Sequence, residues 1–138
     1  MEIALITYLG ELRTQAVHLQ SQTRLITDAP LDNNGKGEAF SPTDLLGTSL
    51  GSCMLTIMGI VSSRSGIAIK GTEIRLTKIM GVNPRRVTEI QVEIFFPADY
   101  TEKEKNLLEN AALTCPVAKS IHPEIRQVVH FNYKTQRP

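Results

Sequence analysis

The segment from residue 41 to residue 65 constrains the fold more than any other part of the sequence. Ser41 can cap the amino end of a helix, and Pro42 suits the first helical position. Asp44 follows where a carboxylate meets the positive end of the helix dipole, and Gly66 is a natural stop. The residues between are apolar or small almost all round the helix. Such a helix is covered by other elements, so we predict that it lies at the centre of the fold.

Cys53 lies on the most apolar face of this predicted helix. A cysteine in such a position is usually a small buried hydrophobic residue without chemistry, and this is the first interpretation of Cys53 taken alone. Helical spacing predicts that the buried row consists of Leu46, Leu50, Cys53, Ile57 and Val61.

Before this helix the sequence predicts β structure followed by a long loop. Alternating side chains mark one strand at 12–19 and another at 23–27, joined by a turn at 20–22. Residues 28–40 are rich in Asp, Asn, Gly and Pro, which favour turns, so we predict an open loop without a regular element. A loop this long in a compact domain is usually functional or mobile.

After the helix the sequence predicts two paired strands, a second helix and a last strand. The residues at 90–96 alternate between apolar and polar and pair with a run at 73–77, which predicts a hairpin with one buried face. A capping box at 101–104 opens the second helix, and the last strand covers 129–133. We therefore predict a single domain over residues 1–138 that contains both strands and helices.

The sequence contains two cysteines, which are too few for a disulfide-stapled miniprotein or a four-cysteine zinc site. The second, Cys115, directly precedes Pro116. If Pro116 begins a new helical segment, Cys115 is its N-cap, and the unpaired N–H groups there would lower the pKa of the thiol. The alternative is a kink with an inert thiol. Taken together with Cys53, Cys115 could form a dithiol in which one thiolate attacks a peroxide and the other resolves the sulfenic acid.

Charge and hydropathy exclude several other classes of protein. Fifteen Lys and Arg residues balance fourteen Asp and Glu residues, which argues against a binder of nucleic acid or of membrane surfaces. No uninterrupted apolar stretch approaches about 18 residues and no secretion signal is present, so we expect a cytoplasmic protein. The three histidines are far apart, so we expect neither a metal nor another cofactor.

Two motifs together resemble the OsmC/Ohr family. Residues 41–46, followed by Leu-Gly-Ser-Cys at 50–53, resemble the central-helix signature of that family, and 115–117 is similar to its second motif. The order of elements matches over essentially the whole chain. The resemblance implies an α+β fold built as an intertwined homodimer. It also implies reduction of organic hydroperoxides by a cycle in which Cys53 is the peroxidatic thiol, Cys115 the resolving thiol, and an external thiol the reductant.

The sequence departs from the family pattern at the residues that assist the thiolate. Hydroperoxide-reducing members carry a glutamate directly after the proline, where this chain has Thr43, so Asp44 is the candidate replacement. Those members also use an arginine from the early β region. Arg13 is the candidate here, with Arg24 and Lys36 as alternatives, and all three have the alternative interpretation of solvated surface charges.

Helix geometry limits how Asp44 could assist Cys53. Nine residues at about 1.5 Å each place the two side chains roughly 13 Å apart along the helix, and on opposite faces. An acid at the start of this helix could therefore reach that thiol only from another subunit. Two other functions stay open for the same fold, a dimeric ligand-binding module without catalysis and a redox-sensing disulfide switch.

Overall fold

The computed structural model describes residues 1–136 and divides into two compact units, one covering Met1–Leu46 and the other beginning at Gly47. Within the described residues, the chain has two three-stranded sheets and three α-helices, which confirms the predicted α+β class. The first sheet belongs to the first unit, and the second sheet belongs to the second unit.

The first unit is an antiparallel meander with strand order β1-β2-β3, where β1 is Ala4–Gly10, β2 is Arg13–His18 and β3 is Arg24–Asp28. Strands β2 and β3 match the two predicted strands within two residues. Strand β1 was not predicted as a separate strand, because its residues are mostly apolar and do not alternate with polar ones. Its side chains are exposed or nearly so along the whole strand.

The loop that follows β3 is tied together at its ends. The Asp28 N–H donates to the Phe40 carbonyl oxygen over 3.0 Å. The prediction of a loop without regular structure is wrong in one place, where Leu31–Asn33 forms one turn of 3-10 helix. Gly35 is needed for the tight return, because a Cβ there would lie 1.8 Å from the Ala29 carbonyl oxygen.

Helix α1 runs over Pro42–Ser65, and Gly66 follows it with a φ of +68°, as the sequence predicted. Its buried face differs from the predicted row, because Cys53 is only half-buried. The strand residue Leu76 packs against glycines of the helix, and a Cβ on Gly47 would lie 2.7 Å from it. The predicted face of α1 was therefore wrong, because it was chosen from the large apolar residues and left out the glycines. The buried residues of α1 are Gly47, Leu50, Gly51, Met54, Met58 and Ser62.

The prediction that α1 is covered on all sides is not met within one chain. Thr48, Ser49 and Ser52 are exposed, and Ile60 is 44% exposed. The same helix is long and apolar enough to cross a membrane, with a mean hydropathy of 1.6 over 18 residues. The sequence criterion of an uninterrupted apolar stretch did not identify this helix, because Ser, Thr and Gly residues interrupt its apolar residues. A single such helix is weak support for a span, since the core helix of a soluble protein has the same composition.

The second unit is built on β4 at Glu73–Gly81, β5 at Arg86–Phe95 and β6 at Arg126–Asn132. Strands β4 and β5 form the predicted hairpin, and the core-facing residues Ile90 and Ile94 of β5 are fully buried. Strand β6 pairs with β5 in parallel, a direction that the sequence did not predict.

Two short helices connect the hairpin to β6. Helix α2 covers Glu102–Leu113 and begins with the predicted capping box, in which Thr101 and Glu104 exchange hydrogen bonds. Helix α3 covers Pro116–Ser120, so Pro116 does restart the helix. The chain turns between the two helices at Cys115, which places this cysteine at a junction inside the second unit.

Candidate redox site

Cys53 lies on α1 beside the buried residue Met54 and one turn after the buried residue Leu50. The cysteine itself is half-buried, and its thiol is free. Cys53 lies to one side of the buried glycine face of α1, so its side chain is partly accessible. This is the exposure expected of a cysteine that reacts with a small molecule, and it differs from the inert core position considered first.

Cys115 lies at the junction of α2 and α3 and is fully buried. Its Sγ accepts a hydrogen bond from the Ala118 N–H over 3.4 Å, which makes it the N-cap of α3 as predicted. Its own N–H donates to the Ala112 carbonyl oxygen at the end of α2. The backbone of both helices therefore fixes the position of this sulfur.

The structure brings the two cysteines together, although they are 62 positions apart in the sequence. The side chain of Cys115 forms a hydrogen bond with Cys53, and both cysteines are present as free thiols. The approach of α1 and the α2–α3 junction therefore creates a dithiol within the second unit. A disulfide between them additionally requires the specific Cβ–S–S–Cβ geometry of that bond.

The pKa of Cys115 is raised above its ordinary value, so the predicted lowering is wrong. Burial, which disfavours the thiolate, is the largest cause, and the hydrogen bond and electrostatic interaction with Cys53 raise the pKa of Cys115 further. The N–H groups of Ala118 and Val117 lower it, but α3 is a single turn and does not outweigh burial. Cys115 therefore keeps its proton and can donate it toward the sulfur of Cys53.

Asp44 lies in the first unit, at the start of α1. Its carboxylate accepts the Ser41 N–H over 2.9 Å, and its own N–H donates to the Ser41 Oγ over 3.0 Å. This reciprocal pair is a capping box with aspartate in the third position. Ser41 and Asp44 thus both stabilise the start of α1. A catalytic role for Asp44 stays a prediction.

Arg13 also lies in the first unit, on β2 directly opposite Asp28 of β3. Its guanidinium is 3.5 Å from the Asp28 carboxylate and 3.3 Å from the Glu38 carboxylate. Asp28 is fully buried, and it also accepts the Glu38 N–H, so the cluster attaches the loop to the sheet. A role of Arg13 beside the thiolate stays a prediction. Of the two alternatives, Lys36 pairs with Glu11 over 2.9 Å, and Arg24 is exposed on β3.

Sequence reasoning missed Gln127, which lies at the start of β6. Its side-chain amide donates to the carbonyl oxygen of Ala118 in α3, over 3.0 Å. No sequence pattern marks this contact, because it joins two elements across a loop. Among residues 1–136, no group of three or more His, Cys, Asp or Glu side chains is arranged to hold a metal ion.

Comparison with known proteins gives a family and several structures of the same fold. Residues 35–129 match the family described as OsmC-like protein. A crystal structure from Psychrobacter arcticus is 55% identical, with a TM-score of 0.93 and 96% of each chain covered. That protein's name assigns it provisionally to osmotic stress induction and the detoxification response. A comparison with the curated proteins gives no match.

More distant structures show the fold alone. An organic hydroperoxide resistance protein OsmC from Legionella pneumophila is 12% identical, with a TM-score of 0.74 and coverage of 95% of this chain and 97% of that one. An organic hydroperoxide resistance protein from Elizabethkingia anophelis is 14% identical, with a TM-score of 0.75 and coverage of 97% and 98%. With a family match over most of its length and a 55% identical relative, this chain belongs to the OsmC/Ohr family.

Proposed function

We propose that the chain is a thiol-dependent peroxidase that reduces organic hydroperoxides through Cys53 and Cys115. The observation that carries the proposal is the contact between a partly accessible thiol and a buried thiol that keeps its proton. The family supports a peroxidase-like role, since proteins of the same fold are named organic hydroperoxide resistance proteins. The two cysteines alone account for the chemistry, and no step requires a metal or another cofactor.

In the first step the Cys53 thiolate attacks one oxygen of the hydroperoxide. The S–O bond forms as the O–O bond breaks, so Cys53 becomes a sulfenic acid. The departing alkoxide takes up a proton and leaves as the alcohol. Cys115 remains a neutral thiol during this step, because burial and the adjacent charge on Cys53 both raise its pKa.

In the second step the Cys115 sulfur attacks the Cys53 sulfenic acid. The S–S bond forms, and the hydroxyl group leaves with the Cys115 proton as water. Two equivalents of an external thiol then reduce the disulfide to the two cysteines, and that external thiol is itself oxidised to a disulfide. The interaction between Cys53 and Cys115 supports resolution by the second cysteine of the same chain.

We propose further that the protein acts as a homodimer in the cytoplasm. OsmC/Ohr proteins are typically dimeric, and this chain leaves large apolar side chains uncovered on β1 and on α1. On β1, Leu5 is 60% exposed, Ile6 is 67% exposed and Tyr8 is 64% exposed. A second copy would remove this surface from water, at about 25 cal/mol for each Å² buried.

A second candidate function is redox sensing by the same two cysteines without turnover. The observation in its favour is that Asp44 and Arg13, the two residues implied to assist the thiolate, both have local partners. A thiol pair without such assistance reacts more slowly, and a slow reaction suits a sensor better than an enzyme. A sensor would form the disulfide with peroxide but would not consume peroxide continuously.

The test is consumption of cumene hydroperoxide by the purified protein with dithiothreitol as reductant. We expect wild type to turn over, Cys53→Ser to lose activity, and Cys115→Ser to slow sharply once sulfenic acid has accumulated. Ser52→Ala, which alters the exposed neighbour of Cys53, is the matched control and should keep the wild-type rate. No consumption by wild type above the reaction without protein would refute the enzyme, and a single stoichiometric oxidation would support the sensor.

A further inference from the structure

We propose that Gln127 is a positioning residue that holds the Cys115 thiol in place for attack on oxidised Cys53. This inference rests on the proposed function, because the step it affects is resolution of the sulfenic acid. The Gln127 amide bonds to the backbone of α3 and not to a sulfur atom. It acts through Ala118 of α3, the residue whose N–H donates to the Cys115 sulfur.

Helix α3 needs external support because it is very short. It has five residues, and its backbone hydrogen bonds include those from the Lys119 N–H to the Cys115 carbonyl and from the Ile121 N–H to the Val117 carbonyl. An isolated helix of this length is not stable in water, since nucleation costs more than one turn returns. Contacts from outside α3 must therefore hold the turn closed if the Ala118 N–H is to keep its hydrogen bond to the Cys115 sulfur.

Gln127 provides such a contact from a rigid element. It lies in β6, in register with the buried residue Ile90 of β5, and is itself half-buried. Its Nε2 donates to the Ala118 carbonyl oxygen over 3.0 Å, while the Ala118 N–H donates to the Cys115 Sγ over 3.4 Å. Ala118 is thus bonded to the sheet through its carbonyl oxygen and to the Cys115 sulfur through its N–H.

Loss of the Gln127 amide should allow the turn to open more often. A hydrogen bond contributes about 1 kcal/mol net, so the equilibrium constant for opening of the turn should rise about fivefold. In the open state Cys115 has no fixed approach to Cys53, and the sulfenic acid persists. A second molecule of hydroperoxide can then transfer an oxygen to it, giving a sulfinic acid and another molecule of alcohol. Gln127 would therefore also limit irreversible oxidation of Cys53.

The test compares Gln127→Met with Gln91→Met. Methionine keeps the length of the side chain and removes the donor. Gln91 is a matched control, because it is also a half-buried strand glutamine of this sheet, but its amide donates to Glu89 and not to α3. The measurements are hydrogen exchange at the Ala118 and Lys119 amides, the rate of Cys53 oxidation by cumene hydroperoxide, and the lifetime of the sulfenic acid trapped with dimedone.

In Gln127→Met we expect exchange at these amides to rise about fivefold and the first oxidation to keep its rate. The sulfenic acid should persist longer, by up to about fivefold, because its lifetime rises only as the closed fraction of the turn falls. Gln91→Met should match wild type in all three measurements. An unchanged sulfenic acid lifetime in Gln127→Met, or an equal increase in Gln91→Met, would overturn the inference. Gln127→Ala provides a second variant with the same expected changes should Gln127→Met fail to fold.

Failure of the proposed function gives a different pattern. In that case wild type forms no sulfenic acid with hydroperoxide, yet the inference about position can still be measured. Diamide, a two-electron oxidant of thiols, then drives formation of the Cys53–Cys115 disulfide. Slower disulfide formation in Gln127→Met than in Gln91→Met would support the positioning role, and equal rates would refute it.

Discussion

The two three-stranded sheets of this chain use apolar residues in opposite ways. In the second sheet, Ile90 and Ile94 on β5 are fully buried. In the first sheet, Leu5 and Ile6 on β1 are at least 60% exposed although they lie on opposite faces of the strand. The second unit therefore has a core of its own, whereas the first presents apolar surface on both faces. Exposed apolar surface of this kind is typical of a strand that contacts another protein chain.

The reactive and charged residues show the same contrast. In the first unit, Arg13 and Asp44 take part in an ion pair and a capping box that hold local structure. In the second unit, Cys53 and Cys115 contact each other, and neither forms a disulfide. Under the proposed function, the second unit carries the thiol chemistry and the first provides contacts between subunits.

The largest expected effect comes from one truncation made in each sheet. Ile94→Ala removes a fully buried side chain and should lower the free energy of unfolding by about 2–5 kcal/mol. Ile6→Ala removes a 67% exposed side chain and should weaken association of subunits while changing monomer stability by less than about 0.5 kcal/mol. Urea unfolding and sedimentation at several concentrations separate the two effects. Equal destabilisation of a dilute monomer by both variants would contradict the contrast between the sheets.

A smaller effect is expected from Arg13→Gln. The variant leaves the buried Asp28 carboxylate without its cation, which should cost about 1–3 kcal/mol, because Arg13 is itself partly exposed. We expect oxidation of Cys53 to keep its rate within about threefold, since the guanidinium is held by Asp28 and Glu38. Urea unfolding and stopped-flow oxidation measure the two quantities. A loss of rate above tenfold with unchanged stability would instead confirm the role beside the thiolate that the resemblance implies.

The smallest effect is a dependence of stability on pH that arises from Cys115. Its folded pKa is raised above the ordinary value of 9.0, so the folded state holds the proton more tightly than the unfolded state does. The resulting stabilisation is complete below about pH 9 and is lost as the pH rises through the folded pKa. The difference in urea midpoint between wild type and Cys115→Ser should therefore shrink with rising pH. A constant difference from pH 7 to pH 11 would show that burial does not disfavour this thiolate.

Much of the fold was predictable because its signals are local. Ser41, Pro42 and Gly66 mark the ends of α1, and Thr101 with Glu104 marks the start of α2. The buried face of α1 was not predictable, because packing of β4 against two helical glycines depends on tertiary structure. The parallel direction of β6 depends on tertiary structure in the same way.

The site was predictable in part. The sequence predicted the N-cap position of Cys115 from the proline that follows it, and the resemblance implied its pairing with Cys53. The direction of the Cys115 pKa shift was wrong, because a sequence shows the helix start but not the burial that outweighs it. Gln127 could not be found, since its role depends on one hydrogen bond between β6 and α3.

The most direct test of the dithiol is the mass of the protein after one equivalent of cumene hydroperoxide. We predict the loss of two hydrogens from wild type, a Cys53–Cys115 linked peptide after digestion, and no link between subunits on a non-reducing gel. Cys53→Ser, treated in the same way, should keep its mass. An unchanged wild-type mass, or a disulfide that joins two chains instead, would contradict the dithiol account.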